Sequence, residues 1–216
     1  MTPGLTLLRR LVQFPVRLFV RIVQRLPAFR FIRETQATQT PIDFRMWFRQ
    51  EIMGMNQGPY WPVHPSSQVT GWRNIVAGVE TSPGIMPGCY IQGIGTIEIG
   101  DYTQIGPGVG IISANHAKND LREHDPTHVK IGAYSWLGMG CIVLPGVTLG
   151  DFTIVAAGSV VTKSFEDGYC VIAGNPARLV RKLDPETCIR HTSDHEYIGF
   201  IRKDQFAAFR AKNLNL

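Results

Sequence analysis

Ile131-Gly132-Ala133-Tyr134-Ser135-Trp136, Leu137-Gly138-Met139-Gly140-Cys141-Ile142, Val143-Leu144-Pro145-Gly146-Val147-Thr148, Leu149-Gly150-Asp151-Phe152-Thr153-Ile154 and Val155-Ala156-Ala157-Gly158-Ser159-Val160 follow one another as blocks of six residues. Each block opens on an aliphatic residue, a small residue usually comes second, and turn formers fill the remainder. A strict period of six fits neither the helical period of about 3.6 nor the strand period of about 2. A short fixed period is the mark of a solenoid, in which each repeat packs only on its neighbours.

Each block reads as one short flat strand and one tight turn. Three blocks make a triangular coil of about 18 residues, stacked on the next at roughly the 4.8 Å strand spacing. The aliphatic first residue points inward and builds a continuous column. The second position (Gly132, Gly138, Gly150, Ala156) sits at a crowded corner where a larger side chain clashes. A β-sandwich would instead alternate every second residue and turn at Asn-Gly or Asp-Gly hairpins. Asp167-Gly168 follows a coil and joins no such pair of strands.

Upstream, Val63, Val69 and Ile75 step by six, as do Val79, Ile85, Ile91 and Ile97, and then Ile99, Ile105 and Ile111. The phase shifts between these runs predict two-residue slips at coil corners. Between Ile111 and Ile131 the repeat stops, and the polar stretch at 112–130 carries three of the six histidines. An insertion in a solenoid must leave it as a loop, and such loops commonly carry function. The chain therefore divides into a helical segment at 1–57, a β-coil at 58–183 and a polar tail at 184–216 whose end is helical.

The net charge of +5 is an N-terminal property. Seven arginines (Arg9, Arg10, Arg17, Arg21, Arg25, Arg30, Arg33) precede the first acid, Glu34, and the rest of the chain carries a net −2. Nucleic-acid binding by the body therefore gains no support. Within residues 5–33, Arg10, Gln13, Arg17, Arg21 and Gln24 share one helical face and aliphatic residues cover the rest. No uncharged run there is long enough to span a bilayer. Seven arginines beside a broad apolar face suit a helix lying on an anionic membrane. The competing reading packs this helix on the rest of the assembly. Pro15 and Pro27 should kink or end it. Residues 41–55 read as a second short amphipathic helix. Cys89, Cys141, Cys170 and Cys188 lie far apart with no C-x-x-C spacing, which suits a reducing compartment. The expected location is cytoplasmic, peripheral on the inner face of the cytoplasmic membrane.

Ile111-Ile-Ser-Ala-Asn-His116, Ile131-Gly-x-x-x-Trp-Leu-Gly138, Val143-Leu-Pro-Gly-Val147, Ala157-Gly-Ser-Val-Val-Thr-Lys163 and Ala173-Gly-Asn-Pro-Ala-Arg178 occur in this order. Together they resemble the hexapeptide-repeat acyltransferases, in the branch of galactoside and maltose O-acetyltransferases and polysaccharide-modifying relatives. The resemblance covers roughly residues 60–183. It implies a mainly-β fold, a left-handed parallel β-helix, flanked here by N-terminal amphipathic helices and a C-terminal helical tail. It implies a homotrimer, since the family binds its donor between subunits. It also implies acetyl-CoA as acyl donor and a carbohydrate acceptor, with no metal.

The resemblance makes His116 the general base. An alcohol or amine attacks poorly until its proton is removed, and imidazole suits neutral pH. The other ring nitrogen needs an acceptor, either a backbone carbonyl or a carboxylate such as Asp120 or Glu123. The oxyanion donor maps to the backbone N–H around Met139 and Gly140. The pantetheine arm maps to Ala156, Ala157 and Gly158 and the 3′-phosphate end to Lys163, Arg178 and Arg181, with Lys182 adjacent; Thr162 joins the cofactor-binding set. The family's acceptor-binding asparagine has no counterpart between Gly84 and Tyr90, which leaves Asn115, Tyr90 or Gln92 for that role.

Two other classes compete. A γ-carbonic-anhydrase-like lyase needs three histidines on zinc. His116, His124 and His128 are available but share one irregular stretch, and the Ala173–Arg178 motif is then unexplained. A non-catalytic hexapeptide scaffold would tolerate His116→Ala and ignore acetyl-CoA.

Overall fold

The six-residue blocks become strands in a computed structural model that describes residues 22, 23 and 25–215. Three parallel sheets form the faces of the coil. The first stacks Gln68–Thr70, Tyr90–Gln92, Gly110–Ile112, Ile142–Val143 and Val160–Val161. The second stacks Ile75–Ala77, Thr96–Ile99, His128–Ile131 and Thr148–Leu149. The third stacks Gln104–Ile105, Trp136–Leu137, Thr153–Val155 and Cys170–Gly174, and ends on the antiparallel strand Ala177–Lys182.

Register aligns the aliphatic residues into three inward columns. Ile91, Ile111, Val143 and Val161 form the first; Ile75, Ile97 and Val129 line the second; Ile105, Leu137, Val155 and Ile172 form the third. All eleven are buried. Such stacking removes most of each side chain from water, which is the main source of stability in a repeat of short strands. Glycine follows at the corners for lack of space. A Cβ at Gly132 would lie 2.4 Å from the Asp151 nitrogen of the next coil.

The phase shifts arise inside strands rather than at corners. Ile97 and Ile99 both face inward from the one strand Thr96–Ile99, and Ile75 with Ala77 and Val129 with Ile131 do the same. Strands of the second sheet are long enough to place two alternate residues in the core, so a two-residue step appears without a slip.

The excursion is shorter than the repeat break. Ile112 still belongs to a strand, and the coil resumes at His128 with Val129 fully buried. Between them Ala114–His116 and His124–Pro126 pair as an antiparallel hairpin. Its neck is tied: Thr127 donates to the Ser113 carbonyl through its backbone N–H at 2.7 Å and its hydroxyl at 2.9 Å. The Ser113 hydroxyl donates to the Gln92 carbonyl at 2.6 Å.

The Ala177–Lys182 strand extends the third sheet past the last coil, and Trp61, fully buried, joins the same hydrophobic core as the coil residues. The second N-terminal helix is observed as Phe44–Trp47 continuing into a wider turn, Phe48–Ile52. The helix Lys203–Asn213 folds back to the start of the coil, where Phe206 and Phe209 pack on Tyr60 with ring centroids 5.4 and 5.1 Å away. On the way, Arg190 lies over the rings of Tyr134 and Phe152 and donates to Asp151 at 2.6 Å. Most of the basic segment at 5–33, including Pro15, falls outside the described residues. Its end is a 3-10 turn, Pro27–Phe29, leading into the helix Arg30–Glu34.

Candidate active site

His116 closes the first strand of the hairpin and is exposed. Its Nδ1 lies 2.6 Å from the Leu121 carbonyl oxygen. A carbonyl only accepts, so Nδ1 carries the proton and Nε2 keeps a free lone pair. The ring is also held by His124, its cross-strand partner, with ring centroids 4.5 Å apart. The geometry is that of an oriented base.

The orienting group is thus a main-chain carbonyl, and neither carboxylate reaches the ring. Asp120 is bound on both oxygens by Arg122, at 2.9 and 2.7 Å, and this contact holds its carboxyl below the usual range. Glu123 shapes the turn through its backbone, accepting from the Ala117 N–H at 3.0 Å. Asp120 and Glu123 therefore build the loop that presents the Leu121 carbonyl. Sequence reading missed Leu121 because any residue type carries a carbonyl. The eight-residue separation of His116 and His124 across a polar turn was the available signal for their pairing.

Of the acceptor candidates, Gln92 is committed to the hairpin base, its Oε1 accepting from the Ala114 N–H at 3.1 Å. Tyr90 is half-exposed on the outer face of the first sheet, in register with Gly110. Asn115 is exposed opposite Asp125. Tyr90 and Asn115 are therefore free to meet a ligand, whereas Gln92 positions the hairpin.

At the donor side, Gly140 gives its N–H to the Pro107 carbonyl at 2.8 Å. Met139 makes no backbone or side-chain hydrogen bond through its N–H among the described residues. Of the two proposed oxyanion donors, Gly140 is committed, while the Met139 N–H has no partner among the described residues. The corner entering the first sheet is bare: Gly88, Gly108, Gly140 and Gly158 all adopt positive φ there, and no atom lies within 4 Å of a Cβ built at Gly140 or Gly158. Ala157 is exposed and Ala156 partly so. This edge extends further back than the Ala156–Gly158 stretch singled out from sequence. Thr162, Lys163, Arg178 and Arg181 are all exposed. The Ser159 hydroxyl accepts from the Gly174 N–H at 3.1 Å, which brings the end of the Cys170–Gly174 strand, paired there with Ala177, to the Gly158 corner. Lys163 sits over Phe165 at 5.6 Å.

His128 belongs to the coil and pairs its Nδ1 with the Thr96 hydroxyl at 2.6 Å. Among the described residues no three His, Cys, Asp or Glu side chains gather into a metal-holding group. Burial pushes the thiols of Cys89, Cys141 and Cys170 up, Cys141 to about 12, so these three remain protonated at neutral pH.

Residues 128–163 match the bacterial transferase hexapeptide model, described as six repeats. The segment at 128–163 therefore carries the hexapeptide repeat. The chain is 34% identical over 93 residues to the galactoside O-acetyltransferase of Escherichia coli K12, covering 41% of this chain and 45% of that protein. The chain spans about half the length of the curated relatives it matches. In solved structures the fold is shared with a maltose O-acetyltransferase from Clostridium difficile 630, with a TM-score of 0.53 at 27% identity over 76% of this chain and 88% of that one. A galactoside acetyltransferase in complex with coenzyme A has a TM-score of 0.56 at 24% identity, covering 82% and 88% of the two chains. The resemblance read from the ordered motifs is thereby borne out, as is a mainly-β fold of parallel sheets.

Proposed function

We propose that this protein transfers an acetyl group from acetyl-CoA to a sugar hydroxyl or amino-sugar nitrogen of a polysaccharide or glycan precursor. The observation that carries this reading is His116, with Nδ1 committed to Leu121 and Nε2 free. The named activities of the relatives and the coenzyme A bound to one of them support the donor. His116 Nε2 takes the proton as the acceptor oxygen or nitrogen bonds to the thioester carbonyl carbon. The Met139 N–H donates to the resulting oxyanion. Collapse breaks the C–S bond, and the imidazolium returns its proton to the departing coenzyme A sulfur. Direct attack also fits the three core cysteines, which are protonated and buried and offer no acyl-enzyme nucleophile.

The bare glycine edge suits the pantetheine arm, and Lys163, Arg178 and Arg181 suit the 3′-phosphate. In this reading the coil winds left-handed and three chains associate, each covering exposed Trp136 and the Met139 side chain of a neighbour. Light scattering should give three times the 24.1 kDa chain mass, and an active monomer would refute the trimer. Residues 5–33 hold the assembly against the inner face of the cytoplasmic membrane, near an envelope-bound acceptor.

His116→Ala tests the central claim. Loss of a general base costs roughly 10²–10⁴ in rate. Transfer from acetyl-CoA to a glycan acceptor should fall by that factor while the melting temperature holds, because the ring is exposed. Near-normal kcat would remove His116 from the mechanism.

A further inference from the structure

We infer that the Phe44–Met55 corner is itself a membrane-contact surface that inserts between anionic lipid headgroups. This rests on and extends the reading of residues 5–33 as membrane-facing, but it concerns a different part of the molecule. Phe44, Phe48 and Ile52 recur every fourth residue along the helix and its wider turn, and Arg45 and Arg49 recur beside them. Phe44 packs inward, with its ring 6.0 Å from Phe29 and 6.0 Å from Phe48. Beyond it the stripe leaves the protein: Phe48, Ile52, Met53 and Met55 are 40%, 59%, 55% and 39% exposed. Four neighbouring large apolar side chains at one corner are more than scattered surface residues require.

Charge decides what covers them. Arg25, Arg30, Arg33, Arg45 and Arg49 are exposed, and none is in an ion pair among the described residues. The nearby acids are occupied or shielded. Glu34 accepts from the Tyr197 hydroxyl, Asp43 accepts from the Met46 N–H at 2.7 Å, and Glu51 is partly buried. Arg45 and Arg49 also line a cleft of about 170 Å³ with His64 and Asp43, beside the apolar stripe. Apolar side chains flanked by unpaired guanidiniums match a bilayer, whose acyl chains lie just beneath phosphodiester groups. A protein neighbour built on the same plan would have to supply carboxylates to five arginines. The described chain approaches Phe29 through Ile22 and Leu26, both exposed.

The test uses full-length protein and sedimentation with vesicles of phosphatidylcholine alone or mixed with phosphatidylglycerol. Phe48→Ser/Ile52→Ser/Met53→Ser should lower partition onto the anionic vesicles on the order of a hundredfold, with oligomer mass unchanged. Arg45→Gln/Arg49→Gln should lower it about tenfold at low salt and little at high salt. Arg9→Gln/Arg10→Gln/Arg17→Gln/Arg21→Gln separates the two readings. If it abolishes binding while the serine variant binds normally, residues 5–33 act alone and this inference is overturned. A changed oligomer mass in the serine variant assigns the corner to a subunit contact and also overturns it. Ile52→Cys on a Cys188→Ser background, carrying an environment-sensitive dye, reads insertion without removing the apolar stripe. Its emission should shift to the blue on anionic vesicles; an unshifted spectrum places the corner in water and refutes the inference. Wild-type protein that ignores anionic vesicles refutes both readings.

Discussion

Gln50 fastens the N-terminal helix to the first coil. It is 1% exposed and makes three hydrogen bonds, its Nε2 donating to the carbonyls of Pro59 at 2.8 Å and Trp61 at 2.9 Å while its Oε1 accepts from the Val63 N–H at 2.8 Å. Gln50→Leu keeps the approximate volume and removes all three. The two carbonyls and one N–H left behind sit beside Trp61, which is itself sealed from water, so none gains a solvent partner. An unsatisfied buried polar group costs about 1–3 kcal/mol. Allowing for some relaxation, the three together should cost about 3–6 kcal/mol, a large part of a typical domain stability of about 5–15 kcal/mol. For a chain of this size about 1 kcal/mol lowers the melting temperature by roughly 2–4 °C. The variant should therefore melt at least about 6 °C lower in a calorimetric scan, and its urea midpoint should fall with an unchanged slope. A loss under about 1 kcal/mol would mean that water reaches these groups and that the clamp does not hold the helix. Because the same helix carries Phe48, Ile52 and the two arginines, a loosened clamp should also weaken vesicle binding.

Two glycines separate packing from use. Gly132→Ala places a Cβ against the backbone of the next coil and should cost several degrees of melting temperature; Gly140→Ala meets only the positive-φ penalty of about 1–2 kcal/mol yet should raise the KM for acetyl-CoA if the bare edge carries the donor. Glu196 is held below its ordinary value of 4.5 mainly by the hydrogen bonds from Lys203. Its folded-state pKa lies below the unfolded one, so its contribution is present above pH 4.5 and lost as pH falls through the folded value. Melting temperature should drop through that acid range, less steeply in Glu196→Gln, and identical acid limbs would assign the loss to other carboxyls.

The coil was legible because its inward positions repeat, and repetition is a property of sequence. Ile91, Ile111, Val143 and Val161 could be found by counting. Phase was less legible, because the second sheet admits two inward residues per strand and thus imitates a slip. The hairpin was visible as a break, but its internal geometry was not. Whether Asp120, Glu123 or a carbonyl faces His116 depends on a turn in which Arg122 draws Asp120 away. The docking of Phe206 and Phe209 on Tyr60, more than a hundred positions earlier in the chain, had no local signal at all. Local repetition specifies the solenoid, while single long-range contacts specify its ends.

That division also explains how the site is assembled. The first sheet is entered at the corner bearing Gly88, Gly108, Gly140 and Gly158, and the hairpin bearing His116 leaves after its strand Gly110–Ile112. A bare edge and an oriented base therefore flank one face only a few residues wide. Neither feature demands anything of the aliphatic columns beneath, which point the other way along every strand. The coil fixes both rims because its registers are shared from one strand to the next: moving Gly110 relative to Ile142 would shift Ile111 against Val143 inside the core. Exposed Asn115, Tyr90 and the hairpin turn can then vary without loss of the fold. His116, by contrast, stays tied to the scaffold through Ser113, Thr127 and Gln92 at the neck.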